Sequence, residues 1–503
     1  MTALPIAIAA LLLHCLTASR YGYFRDELYF IACSKHLAWG YVDQPPLVAI
    51  AALFSAPFDY RLAALRFLPA VAASLAAIVS AQIAKDLGGG RFAQIVAAIA
   101  VALTPAYLLL GNVLTTTSFE GLSWTLVSWC VIRIVRGGGR AWWIALAFSL
   151  AFGFYGKYSM GLLAIALIAG LLLTRGRTVL ATPDFALCAA IAAILLLPNI
   201  VWQASHGWPF FEVLRGDAAN RHALNSGVAL EYRRIVPNAF AFAGEQLLYT
   251  NPVAVPLWLT GLFAPLFSRG LRDMRFATVA YGLLFIAAVA LEAKGYYIIG
   301  AYATLLAFGA VVLENASAAI RSGAIAAIGV SALATLPLSI PILPIGSFVA
   351  YSEVLGMTPR SKPHVMQPVY AEEFGWEKLA RDVGTVYRSI APDVRSRTAI
   401  YADTYADAGA IDLFGAKYGL PNAIGSQNTY WLWGPRKYDG QVMIAIGASR
   451  IGVLSRYYRS VRLVATSGEP LKWVVEGPAP IYLCTHPIAG LDAIWPHLRW
   501  YGA

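Results

Sequence analysis

The feature that most restricts this chain is a recurrence of apolar runs. About eleven of them, 14 to 23 residues long where a spanning helix needs ~20, follow one another from residue 4 to residue 345, and several are short. They cover residues 4–18, 62–84, 92–111, 121–135, 142–155, 159–173, 185–202, 253–267, 276–291, 297–313 and 323–345. Hydrocarbon offers no partner to a backbone amide, so runs of this length read as helices that bond internally. Charge supports the reading: 13% of the 503 residues are charged, against roughly 25% in soluble domains. The expected fold class is a polytopic α-helical membrane protein, with the lipid bilayer as its first partner. Run 4–18 lacks a basic stretch before it, so it is expected to be an uncleaved first span with the N-terminus cytoplasmic.

Loop charge assigns sides. Lys85 and Arg91, the group Arg133, Arg136 and Arg140, the pair Arg175 and Arg177, the group Arg269, Arg272 and Arg275, and Arg321 occupy alternate short loops. Those loops are expected on the cytoplasmic side. The same distribution accounts for the net charge of +11 without a nucleic-acid partner, since no basic patch with interleaved aromatics occurs. The other loops, 21–60, 115–120, 155–158, 205–250 and 292–296, are aromatic and mixed in charge, and they are expected on the outer face. Everything after about residue 345 joins them.

From residue 350 acids become frequent and no run is long enough to span. We therefore expect a membrane domain over 1–349 and a soluble, extracytoplasmic α/β domain over 350–503, an ordinary size for one domain. In it, 376–390 and 407–418 have helical spacing, while 398–401 and 442–446 read as short buried strands. Of the five cysteines, Cys33 and Cys484 fall outside the spans, and only exclusion pairs them.

The first outer loop stands out. It holds Arg25, Asp26 and Glu27 together, a further acid at Asp43, and a stop at Pro45 and Pro46. Acids in a first helical turn complement the macrodipole, and the following LYFIA suits an interfacial amphipathic helix. A carboxylate there also suits a general base acting on an acceptor hydroxyl. Lys157, in GKYS, and Lys294, in KGYY, each sit beside tyrosines. They read either as snorkelling interface anchors or as point charges for a phosphate. His206 and Trp208, with Asn199 and Gln203, give a loop of aromatics and amides that suits a sugar, as does NTYWLWGP at 428–435. His206 has no spaced partner for a metal. Walker A, GxGxxG, HExxH and GxSxG are all missing, which argues against a nucleotide cradle and for a lipid-borne donor in any phosphate chemistry. A transporter or flippase of lipid-linked sugars is the alternative, weakened by the lack of paired Gly/Pro-broken segments in matching halves.

The runs RDELYFIACSKHLAWGYVDQPPL, GKYS, PNIVWQASHGWPFFE and KGYY, in this order among the spans, resemble the bacterial family 39 glycosyltransferases. These belong to the C-type (GT-C) membrane superfamily with the protein O-mannosyltransferases and the lipid A aminoarabinose transferases. The resemblance implies inverting transfer of a hexose or pentose from a polyprenyl phosphate to a hydroxyl of a lipid, glycan or protein, on the outer face of the bacterial inner membrane. It implies Asp26, of the acidic pair with Glu27, as the base, Lys157 and Lys294 near the donor phosphate with Tyr297 close by, and Asp43 as an acid orienting the loop or acceptor. Beside these, Arg25 is expected to join the lysines at the phosphate, and Glu27, Asp43, His206 and Trp208 to line the substrates. No cofactor is required, and a divalent metal is optional and unsupported by the sequence. Gln44 stands after Asp43 where some relatives carry a basic or His residue.

Overall fold

A computed structural model describes residues 2–216, 235–356, 368–447, 449–471 and 478–502. Part of the expected outer loop 205–250 therefore lies outside the described residues. The chain divides into two compact units. One comprises Met1–Ser19, Ala63–Trp202 and Asn225–Ile342; the other comprises Arg20–Leu62, Gln203–Leu224 and Leu343–Ala503.

The first unit is helical. Among the described residues, Leu62–Asp86, Pro183–Ser205, Arg269–Ala290, Gly295–Leu313 and Ala318–Ser339 are long and apolar enough to cross a bilayer. Two further pairs bend too sharply to be single straight helices, Met160–Leu172 with Arg175–Ala181 at 112° and Ala239–Tyr249 with Pro252–Phe267 at 104°. Local chemistry causes the second bend: Asn251 sits at φ 69° ahead of Pro252, and its side chain accepts from the Val253 amide. The expected run 92–111 is likewise two helices, Arg91–Ala102 and Pro105–Leu110. Thr104 is extended at ψ 123° because a residue before proline avoids the α region. Among the described residues there are thus fewer full-length spans than apolar runs, and Leu4–Thr17, Glu120–Val135 and Arg140–Gly156 run 14, 16 and 17 residues.

Burial sorts these helices. Gly295–Leu313 has 67% of its apolar window buried, whereas Pro183–Ser205 and Ala318–Ser339 have 11% each. The former is a central element, and the latter two present apolar side chains outward on most of their circumference, as lipid-facing helices do. At the centre, Gly261 and Gly309 let Val255–Phe267 and Tyr302–Leu313 touch backbone to backbone, since a Cβ on either would strike the other helix's main chain.

The second unit is built on a five-stranded sheet in the order β2-β1-β3-β5-β4. Its strands are β1 (Ala399–Ala402), β2 (Ile424–Gly425), β3 (Val442–Ile446), β4 (Tyr458–Ser467) and β5 (Ala479–Pro487). The first three are parallel and β5 and β4 are antiparallel additions. Tyr401, Met443, Ala445, Cys484, Ile494 and Leu498 form its core. β1 is buried along its length, as a parallel strand covered on both faces must be. The helix Tyr405–Phe414 follows β1, with Thr404 capping it by accepting from the Asp407 amide.

Two expectations change here. The first loop groups with the tail, so the compositional boundary at 350 does not coincide with the structural one. Moreover, the helix Arg25–Ser34 buries every residue from Glu27 to Ser34. An amphipathic surface helix keeps one face in solvent; this one is enclosed, and it packs against Tyr405–Phe414. Cys33 and Cys484 are both buried free thiols, each in its own surroundings: Gln44 points its amide at Cys33, and Cys484 pairs with Met443 across the sheet.

Candidate functional site

In the second unit, Asp26 and Glu27 occupy the first turn of Arg25–Ser34 and do different things. Glu27 is fully buried and accepts from the Phe24 amide at 2.8 Å, so its carboxylate reaches back to cap the residue that opens the helix. Asp26 keeps 29% of its side chain exposed. Its Oδ1 accepts from the Tyr405 hydroxyl at 2.9 Å and lies 3.4 Å from Arg25 Nε. Arg25 also donates to the Tyr405 oxygen, at 2.7 Å from Nη2 and 3.2 Å from Nε, and lies 3.6 Å from Glu372. Arg25, expected near the donor phosphate, is thus already engaged with two acids and a phenol. Among the described residues nothing donates to Asp26 Oδ2.

Asp43 lies close by. Its Oδ1 accepts from the Tyr29 hydroxyl at 2.8 Å and its Oδ2 from Asn428 Nδ2 at 3.1 Å. Asn428 is fixed in turn, because its Oδ1 accepts from the Gly502 amide at 3.0 Å, leaving only the donor end for the carboxylate. Burial pushes the Asp43 carboxyl up to about 7; the Tyr29 and Asn428 hydrogen bonds pull the other way, and the Asp26 charge adds to the rise. The Tyr29 hydroxyl is also 2.6 Å from Thr429 Oγ1. It therefore has a second acceptor when Asp43 takes up a proton. Tyr29 and Tyr405 stack with centroids 4.7 Å apart, so each acid is held by one ring of a stacked pair.

In the first unit a second cluster forms around Lys157, the residue after Arg140–Gly156. Its Nζ donates to Thr117 Oγ1 at 3.0 Å and to Glu120 Oε2 at 3.3 Å, and it lies over the rings of Tyr297 at 4.3 Å and Tyr296 at 5.2 Å. The hydroxyl of Ser159 donates to the other oxygen of Glu120. Glu120 is buried at the start of Glu120–Val135. Lys294 is exposed at the head of the turn Gly295–Ala301 and forms no ion pair among the described residues. The structure therefore brings Lys157 and Tyr297 together as the sequence reading grouped them, but gives Lys157 a carboxylate counter-ion. Sequence reasoning passed over Glu120 because it opens an apolar run with no charged neighbour.

His206 and Trp208 lie in the second unit, both exposed, with Trp208 at φ 59° and its ring centroid 6.0 Å from that of Phe211. A shallow hollow there is lined by Gly207, Trp208, Phe211, Glu212 and Arg215. Among the described residues no group of three His, Cys, Asp or Glu side chains is placed to hold a metal ion.

Residues 43–202 match the family model of the dolichyl-phosphate-mannose-protein mannosyltransferases. That stretch includes Asp43, Glu120 and Lys157 but not Asp26 or Lys294. No curated protein sequence matches the chain. Among solved structures, ArnT from Cupriavidus metallidurans in the apo state aligns at 14% identity over 95% of this chain and 97% of its own, with a TM-score of 0.62. ArnT from the same organism bound to undecaprenyl phosphate aligns at 12% identity over 97% and 98%, also at 0.62. At such identities the likeness is one of fold, and it runs through both compact units.

Proposed function

We propose that this chain is a C-type membrane glycosyltransferase, a reading supported by its fold and by the family match over residues 43–202, and that it moves a sugar from a polyprenyl phosphate to a hydroxyl acceptor on the outer face of the bacterial inner membrane. The observation that carries the reading is Asp26, with one carboxylate oxygen held by Tyr405 and Arg25 and the other open. A general base must be fixed in place and still have a lone pair to offer.

In the reaction the acceptor oxygen attacks the anomeric carbon and its proton passes to Asp26 Oδ2. The bond from that carbon to the phosphate oxygen breaks, its electron pair staying on the departing polyprenyl phosphate. Attack opposite the leaving group inverts the anomeric centre. A phosphate leaves as a stable anion, so no catalytic acid is needed. Of the two lysines expected near the phosphate, Lys294 is exposed and without an ion pair among the described residues. Lys157 lies over the Tyr297 ring and is balanced by Glu120. The solved ArnT complex with undecaprenyl phosphate supports a polyprenyl donor on this fold.

The test supplies membranes that contain or lack the chain with a polyprenyl-phosphate-linked radiolabelled sugar. Label should enter a new glycosidic product only when the chain is present and Asp26 is intact. Label that crosses the bilayer with no new product would replace this reading with lipid-linked sugar transport.

A further inference from the structure

Resting on the base reading above, we infer that Tyr405, contributed by the tail some 380 residues away from the loop it serves, is the positioning residue of Asp26 and selects which of its oxygens takes the acceptor proton. The tail is thereby part of the catalytic apparatus.

The geometry is built from the sequence upward. Thr404 caps the helix Tyr405–Phe414, which sets Tyr405 as its first residue. Gly409, four residues on, lies on the same helical face. A Cβ at Gly409 would fall 2.8 Å from the carbonyl carbon and oxygen of Leu28, closer than side-chain carbons approach a backbone. Only glycine lets this helix lie against Arg25–Ser34 at that distance, and the close approach brings the Tyr405 hydroxyl to Asp26. The phenol is buried, which holds it well above its ordinary value, so it stays a donor. Arg25 donates to its oxygen twice and turns its one hydrogen toward Asp26 Oδ1. The ring stacks on Tyr29, so its plane is fixed as well. Oδ1 is occupied from the tail side, and Oδ2 alone remains for the acceptor.

Tyr405→Phe removes one oxygen and keeps the ring stack. In the full-length chain in proteoliposomes, kcat should fall about 10- to 100-fold, the scale for a misplaced catalytic group, while KM for the lipid-linked donor and the melting temperature stay unchanged. In an Asp26→Asn background the same change should have no further effect on residual transfer, because Tyr405 acts only through that carboxylate. Gly409→Ala, which touches no polar atom of the site, should lower kcat in the same direction, and it decides alone if Tyr405→Phe does not fold. Wild-type kcat in the folded variant, or an equal loss in the Asp26→Asn background, overturns the positioning role and leaves the base reading standing. Full turnover in Asp26→Asn itself overturns the base reading, and the role of Tyr405 with it.

Discussion

The acid cluster of one unit and the lysine cluster of the other were built from equally conspicuous charges, yet they end in opposite conditions. Asp26 is held by a phenol and a guanidinium and keeps an open oxygen. Lys157 lies over the rings of two tyrosines and is neutralised by Glu120. A buried ion pair of this kind gains little net stability when intact but is costly to halve, since the survivor is an uncompensated charge. The contrast teaches that a charge rare enough to notice in an apolar sequence is of two sorts. One is left available for chemistry, and the other completes a pair whose partner was overlooked.

The sharpest way to break that comparison is to remove the charge from each cluster and ask what is lost. Asp26→Asn should cut transfer by about 10²- to 10⁴-fold, the range of general-base catalysis, with an unchanged melting temperature. Turnover near wild type would place Asp26 beside Lys157 as a structural charge. Lys157→Met should instead lower stability by about 3 kcal/mol or more through the stranded Glu120 carboxylate. Adding Glu120→Gln should recover most of it in thermal-shift measurements in detergent. A Lys157→Met protein with normal stability but lost donor binding would make Lys157 a phosphate ligand outright.

A finer distinction concerns the two aspartates. Burial raises the Asp43 carboxyl from 3.8 to about 7, so the folded state binds its proton more tightly than the unfolded state does. Its contribution is most favourable below about pH 4 and is lost as pH rises toward 7, with no further change above. Asp43→Asn, which cannot ionise, should therefore melt progressively higher relative to wild type as pH is raised from 4 to 8. A pH-independent difference would show that Asp43 does not titrate in this window. The smallest effect is expected at Glu27. Glu27→Ala should cost about 1 kcal/mol of stability through the lost capping interaction while leaving transfer measurable, and loss of transfer at full stability would return Glu27 to the substrate.

Much of this was legible from the chain. The helical class follows from the apolar runs, and β3 was read over the residues where it forms because Val442–Ile446 is an uninterrupted apolar stretch that a buried strand requires. The antiparallel pair β4 and β5 was not read. β4 carries Arg459 and Arg462 and is mostly open on its faces, so it has neither a continuous apolar run nor a clean alternation. The broken run 92–111 was missed for a local reason: Thr104 interrupts a stretch whose mean hydropathy hardly registers one polar residue, while Asn251 lies just ahead of the run 253–267, at a join the apolar pattern does not cover.

Of the site, the sequence by itself determined the charges, because Arg25, Asp26, Glu27, Asp43, Lys157 and Lys294 stand out against an apolar background at any distance. Their states were decided by tertiary structure alone. Nothing near Asp26 in the chain announces Tyr405, 379 residues on, and nothing near Asp43 announces Asn428. Which carboxylate caps a helix, which is held with one oxygen open and which is raised toward neutrality depends on burial and on donors that arrive from elsewhere in the fold. Burial and hydrogen bonding act through space at a few ångströms, and sequence separation carries no information about either.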